Sequence, residues 1–173
     1  MLESLITNKT RLKLLLKFFL NKETTSYLRN LENEFGESSN AIRVELNRLE
    51  KAGLLVSSFN GNKKIFRAND LHPLYDEINS ILQKTVGLNT INDKLITHIE
   101  QLDKAYLIGD LAYGKESDII DILLVGNGLD SRMIATLAAK TEKMIKRKIR
   151  YLVLKEDEKE KYLEHTPALL IFG

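Results

Sequence analysis

Phe35 to Ser58 reads FGESSNAIRVELNRLEKAGLLVSS, and this stretch organises the N-terminal part of the chain. Gly36 breaks the helical pattern that precedes it. Ser38 or Ser39 can cap a new helix, because a serine hydroxyl accepts a hydrogen bond from a backbone N–H of the first turn. Ile42, Leu46 and Leu49 recur at helical spacing as one apolar stripe, the helix runs to about Ala52, and Gly53 supplies the stop. Upstream, Leu12, Leu15, Leu16 and Phe19 give an amphipathic helix over Asn8–Leu20. A second helix carries Leu28, Leu31 and Phe35, with Thr24 and Thr25 as candidate caps. Downstream, Leu54–Ala68 holds two short β-prone runs flanking Asn60-Gly61, a strong hairpin signal.

Helix, helix, turn, helix, hairpin is the order of a winged helix-turn-helix. Phe35–Ser58 resembles the recognition-helix region of bacterial winged-helix regulators, particularly the arsenic-repressor-like group, and the resemblance extends over most of residues 1–70. It implies double-stranded DNA as the partner, with the helix over 38–51 in the major groove and the hairpin over 54–68 as the wing. With Ile42, Leu46 and Leu49 inward, Asn40, Arg43, Asn47 and Arg48 lie on the opposite side, and these side chains carry the donor and acceptor pairs that suit base edges. Ser38 and Ser39 sit at the helix start, where the dipole attracts phosphate. Lys63, Lys64 and Arg67 belong to the wing, which in this group meets the minor groove or the backbone. Glu45 is expected near the outward face, where it would repel phosphate. The plainer account of the same residues is a solvated helix face and hairpin. Two half-sites multiply affinity, so a homodimer is expected.

Composition sets the wider bounds. Hydrophobic residues make up 43% of the 173 and charged residues 29%, which suits an ordinary globular protein. The absence of cysteine excludes disulfides and thiolate metal sites. Residues 1–70 carry 12 Lys and Arg against 8 Asp and Glu, and the remainder 14 against 16; a basic first part suggests a polyanionic partner. The N-terminal apolar residues are interrupted by Arg11, Lys13 and Lys17, so neither a signal peptide nor a membrane span is expected, and the reading is cytoplasmic. His72 and His98 stand alone, and neither a metal nor a cofactor is expected.

Leu71-His72-Pro73 marks a boundary. Leu74, Ile78, Ile81 and Leu82 then predict a helix ending near Gly87. Ile91, Leu95, Ile99 and Leu102 predict another from about Ile91 to Leu102.

Beyond these helices, Lys104–Ile108, Ile119–Val125 and Ile149–Leu154 read as strands. A helix begun by Asp130 or Ser131 lies between the last two, with Met133, Ile134, Leu137, Met144 and Ile145 as its apolar residues. The segment Gly109–Val125, GDLAYGKESDIIDILLV, is similar to the nucleotide-binding signature of the nucleotidyltransferase superfamily (DNA polymerase beta-like). There a Gly-Ser turn holds the triphosphate and an Asp-x-Asp pair holds Mg²⁺. Gly109 and Gly114 match the turn glycines and Ala112 the small residue between them, but Asp110 replaces the serine and would repel phosphate. Asp118 and Asp121 are three apart, so on a regular strand they point to opposite faces. The third acid is absent from IRYLVL. The resemblance thus implies a vestigial nucleotide site, Gly109, Asp110, Gly114, Asp118 and Asp121, with no catalytic residue. In the tail, a charge run reads as a solvated helix start, Thr166-Pro167 breaks it, and Ala168–Phe172 is apolar enough to dock as a strand or against the core.

The expected class is therefore α/β (α+β): a winged helix over 1–70, connecting helices over 71–103, and a small mixed-sheet nucleotidyltransferase-like domain over 104–173. The expected function is DNA-binding transcriptional regulation, with the C-terminal domain serving dimerisation or input from an unknown small-molecule effector. The alternative is a Mg²⁺-dependent nucleotidyltransferase with a winged-helix docking module. A third possibility is a partner-binding protein that uses the same fold without DNA.

Overall fold

A computed structural model describes residues 2–173. The chain mixes helices with two separate sheets, and it divides into two compact units, Met1–Leu82 and Gln83–Gly173. The division falls inside a helix rather than near residue 70. Among the described residues, no helix is long and apolar enough to cross a membrane.

In the first unit, a short helix α1 (Leu2–Leu5) precedes α2 (Lys9–Phe19), α3 (Leu28–Phe35) and α4 (Ser39–Lys51). Asn8 caps α2, accepting from Arg11 N at 2.9 Å. Ser38 is the serine that caps α4, accepting from Ala41 N at 3.2 Å. Gly36 closes α3 at φ +64°. At the end of α4, Leu54 N donates to Leu49 O and Gly53 N to Glu50 O. This paired closure puts Gly53 in the left-handed region, φ +73°, which glycine enters without a Cβ penalty. Leu14, Phe18, Phe19, Leu31, Ile42 and Leu46 are fully buried where the helices meet.

Strands β1 (Thr25–Ser26), β2 (Leu55–Asn60) and β3 (Lys63–Ala68) form an antiparallel sheet in the order β1-β3-β2. Two expectations change here. Thr24 and Thr25 do not cap α3: Thr25 pairs with Arg67 across the sheet, and Tyr27 occupies the N-cap position without a side-chain cap. A β-branched residue beside an available strand takes the extended form. The hairpin turn is also displaced by one residue. Asn60 pairs with Lys63, so Gly61 and Asn62 form the loop, and Gly61 alone has positive φ, +58°, the φ pattern of a type II′ turn.

Helix α5 (Tyr75–Val86) buries Tyr75, Leu82 and Val86, while Leu74 and Ile81 are exposed. The inward stripe is therefore rotated from the expected one; Tyr75 stacks on Phe19 at 5.6 Å between ring centroids. In the second unit, α6 (Leu88–Lys94) ends at Leu95 and a 3₁₀ turn (Ile96–His98) follows. Ile91, Leu95 and Ile99 are buried as expected, but no helix reaches Leu102, which opens a strand instead.

That strand, β4 (Leu102–Ile108), leads through the one-turn helix α7 (Gly109–Ala112) to β5 (Ile119–Gly126). Then follow α8 (Ser131–Ile145), β6 (Lys148–Leu154), α9 (Glu156–Leu163) and β7 (Leu169–Phe172). The sheet order is β6-β5-β4-β7. β4 runs antiparallel to β5 and β7, and β5 runs parallel to β6. Asp130 caps α8, accepting from the backbone N–H groups of Arg132 and Met133. α8 buries Ile134, Ala138 and Thr141 but leaves Met144 exposed. Thr141 is tolerated inside because its hydroxyl donates to Leu137 O at 2.8 Å. Alternation along β5 splits its side chains between two cores. Ile120, Ile122 and Leu124 are fully buried on one face; Leu123 and Val125 pack on the other with Ile108, Tyr106, Tyr162 and Leu163.

On α8, Ile134→Ala is expected to cost about 2–5 kcal/mol by loss of packing and a residual cavity. Met144→Ala, on the exposed side, is expected to stay within about 0.5 kcal/mol of the parent. Urea unfolding of both variants checks the burial pattern.

Candidate nucleic-acid interface

The helix α4 reaches the surface as two adjoining stripes. Ser39, Arg43 and Asn47 recur at i, i+4, i+8 and line an open groove of about 670 Å³ beside the hairpin. Lys63 and Lys64 line the opposite wall, and Arg29, which the sequence pattern did not single out, adds a further cation from α3. Arg29 was missed because a lone exposed arginine on a short helix carries no periodic signal. Val44 is half-exposed on α4 and was hidden by its apolar type. The remaining expected residues do not line the groove. Ser38 has its hydroxyl engaged in the cap. Asn40 is exposed at the start of α4. Arg67 faces Asp70 at 3.6 Å. Arg48 is exposed but tied to Glu45.

Glu45 is not an outward repulsive charge. Its side chain is only 3% exposed. Arg11 Nε donates to Oε2 at 2.7 Å, Arg48 Nη1 to Oε1 at 2.8 Å and Asn8 Nδ2 to Oε1 at 3.2 Å. The hydrogen bond from Arg11 holds this carboxyl below its ordinary pKa against the opposing effect of burial, with the charges of both arginines adding to it. The carboxylate thus joins the start of α2 to the middle of α4, and its charge is compensated within the protein rather than presented at the surface.

The two wing lysines also differ. Lys64 Nζ bonds Glu50 Oε2 at 2.7 Å and lies 5.0 Å from the Phe66 ring centroid; this contact, with the Ser57 hydroxyl, holds Glu50 below the ordinary carboxylate range. Lys63 has no carboxylate partner among the described residues and sits 4.6 Å over the Tyr27 ring, a contact that still leaves an ammonium free to meet an anion. Arg43 makes only a 3.5 Å contact with Ser39 Oγ. Among the described residues, Arg43, Asn47 and Lys63 are therefore largely uncommitted side chains of the groove, whose lining also includes Arg29, Asn62 and the acid Glu32.

In the second unit, the expected vestigial site is only partly gathered: Gly109 abuts Asp121, whereas Asp118 lies apart. Gly109 and Gly114 both have positive φ, +69° and +72°, and bracket α7 with Asp110 in its first turn. Asp121 lies on β5 opposite Arg150 on β6. The guanidinium takes it bidentately, Nε to Oδ1 at 2.6 Å and Nη2 to Oδ2 at 2.9 Å, and this pairing raises the Arg150 pKa further. An arginine on β6 thus stands across from this acid. Asp118 lies before β5 in a separate cleft with Glu142, Lys143 and Arg147. Among the described residues, no group of three or more His, Asp or Glu is placed to hold a metal.

No family model matches the chain, and no curated protein matches its sequence.

Because the folded pKa of Glu45 lies below its unfolded value, its bonds stabilise the first unit above the unfolded carboxylate range, and that stability is lost as pH falls through the folded value. Glu45→Gln is expected to be less stable than the parent by about 1–3 kcal/mol at neutral pH, with the gap closing on acidification in pH-dependent urea melts. At Gly109 an added Cβ would overlap the Asp121 carboxylate at a φ that disfavours L side chains. Gly109→Ala is therefore expected to lower the thermal midpoint, with a cost above the roughly 1–2 kcal/mol of the left-handed backbone alone.

Proposed function

We propose that the chain is a DNA-binding transcriptional regulator whose first unit is a winged helix. α4 reads base edges in the major groove, and the β2–β3 hairpin is the wing that holds the backbone. The observation that carries this reading is the groove in which Arg43 and Asn47 from α4 face Lys63 from the hairpin; Glu32 is the acid in its lining, outnumbered by Arg29, Arg43, Lys63 and Lys64, and the buried Glu45 behind α4 is neutralised by Arg11 and Arg48. Arginine and asparagine offer bidentate geometry to guanine and adenine respectively. Lysine offers a point charge to phosphate. The second unit, with its strand, glycine turn, strand, helix and strand, is read as a nucleotidyltransferase-like domain that serves dimerisation or effector input. The bond from Arg150 to Asp121 supports a non-catalytic role, since it occupies the lone β5 carboxylate.

Fluorescence anisotropy of the full chain on duplex DNA from its own upstream region, against a scrambled duplex, tests the proposal. The parent is expected to prefer its own DNA. Arg43→Ala and Asn47→Ala are each expected to cost about 1–3 kcal/mol on the preferred duplex and to narrow the preference. Absence of binding to either duplex at low salt would overturn the proposal.

A further inference from the structure

The 71–173 part of the chain is net acidic, yet between residues 140 and 150 it holds six Lys and Arg against a single Glu. The fold gathers much of this charge at one place. Where α8 ends and β6 begins, an open cleft of about 570 Å³ is lined by Lys143, Lys146, Arg147 and Lys148, with Asp118 and Glu142.

The internal commitments of these groups are unequal. Arg147 donates to the Ser117 carbonyl oxygen. Glu142 accepts from Ile149 N at 2.8 Å and from Lys148 Nζ at a long 3.4 Å, leaving the Lys148 side chain 77% exposed. Lys143 and Lys146 are exposed, and their ammonium groups have no hydrogen-bond or ion-pair partner among the described residues.

Lys146 carries a second and independent signal. It closes α8 in the left-handed conformation, φ +57°, at the position where helices most often place glycine. A side chain there is strained relative to glycine. The helix dipole accounts for a cation within the last turn, and Lys143 needs nothing more. It does not account for a lysine where the backbone favours glycine, with its ammonium directed to no group among the described residues.

We infer that this cleft is a second nucleic-acid contact, one that takes the phosphate backbone of duplex DNA without reading its bases; the inference rests on the proposed DNA-binding reading. A small phosphorylated ligand seated in the cleft would meet the carboxylates of Asp118 and Glu142 along with the lysines. A backbone crossing the cleft meets the exposed side chains of Lys143, Lys146 and Lys148, and each such contact releases counterions from the phosphates.

Salt-titrated anisotropy of the full chain tests this with three variants. The triple change Lys143→Gln, Lys146→Gln, Lys148→Gln is expected to weaken binding to the preferred and scrambled duplexes by the same factor. It should also reduce the slope of log affinity against log salt by about 2 to 3, at roughly 0.9 per contact. Arg43→Ala, in contrast, is expected to narrow the preference between the duplexes. Lys146→Gly separates charge from folding: relief of the left-handed strain should raise the thermal midpoint while the affinity falls. A salt slope unchanged in the triple variant, or a Lys146→Gly protein that is more stable and binds as tightly as the parent, overturns the inference and leaves the α4 reading standing. A parent that binds no duplex at low salt overturns both.

Discussion

Glu45 sits on the middle turn of α4 with its carboxylate buried beside the start of α2, and much of the first unit's surface chemistry depends on how that charge is met. An isolated carboxylate there would be costly. Arg11 and Asn8 from one helix and Arg48 from its own helix offset the cost, and in doing so they fix α4 against α2 in one rotation. That rotation sends Ile42, Leu46 and Leu49 into the core and turns Ser39, Arg43 and Asn47 toward the hairpin. The same bonds remove Arg48 from the set of uncommitted cations. A buried ionic group of this kind contributes to specificity of arrangement more clearly than to net stability.

In the second unit the central strand β5 plays the organising part. Its two faces feed two cores, and it is paired in parallel with β6 on one side and antiparallel with β4 on the other. The register that makes this possible sets Asp121 level with Arg150 and against Gly109. The glycine is required by close approach as well as by its backbone conformation, so the turn, the acid and the arginine form one coupled arrangement. Holding Mg²⁺ through Asp121 would require displacing a bidentate guanidinium.

Gly36, the Ser38–Ser39 pair and Gly53 marked the limits of α3 and α4 because caps and stops are local: each depends on one side chain or one missing Cβ, and the structure selects Ser38 as the cap. Leu74, Ile81 and Met144 were misassigned to buried faces, since periodicity reports that a stripe exists but not which flank a neighbouring element covers. Leu102 looked like the last member of a helical stripe and instead begins β4, because its pairing with Gly126 lies far along the chain. Among the candidate DNA contacts, the outward positions of Arg43 and Asn47 on α4 followed from helical geometry alone. Arg29 and the differing engagements of Lys63 and Lys64 did not.

The sequence by itself determined the order of elements, most of their limits, the mixed helix-and-strand class and the charged residues available to the surface. These rest on hydrophobic period, turn chemistry and composition, which act over a few residues. Only the tertiary structure decided that Glu45 is buried and compensated, that Asp121 is held by Arg150 while Asp118 lies in a separate cleft, and that Lys148 reaches Glu142 while Lys143 and Lys146 are left uncommitted among the described residues. Charge pairing operates across segments distant in sequence, and its outcome depends on distances of a few ångströms that no local pattern encodes.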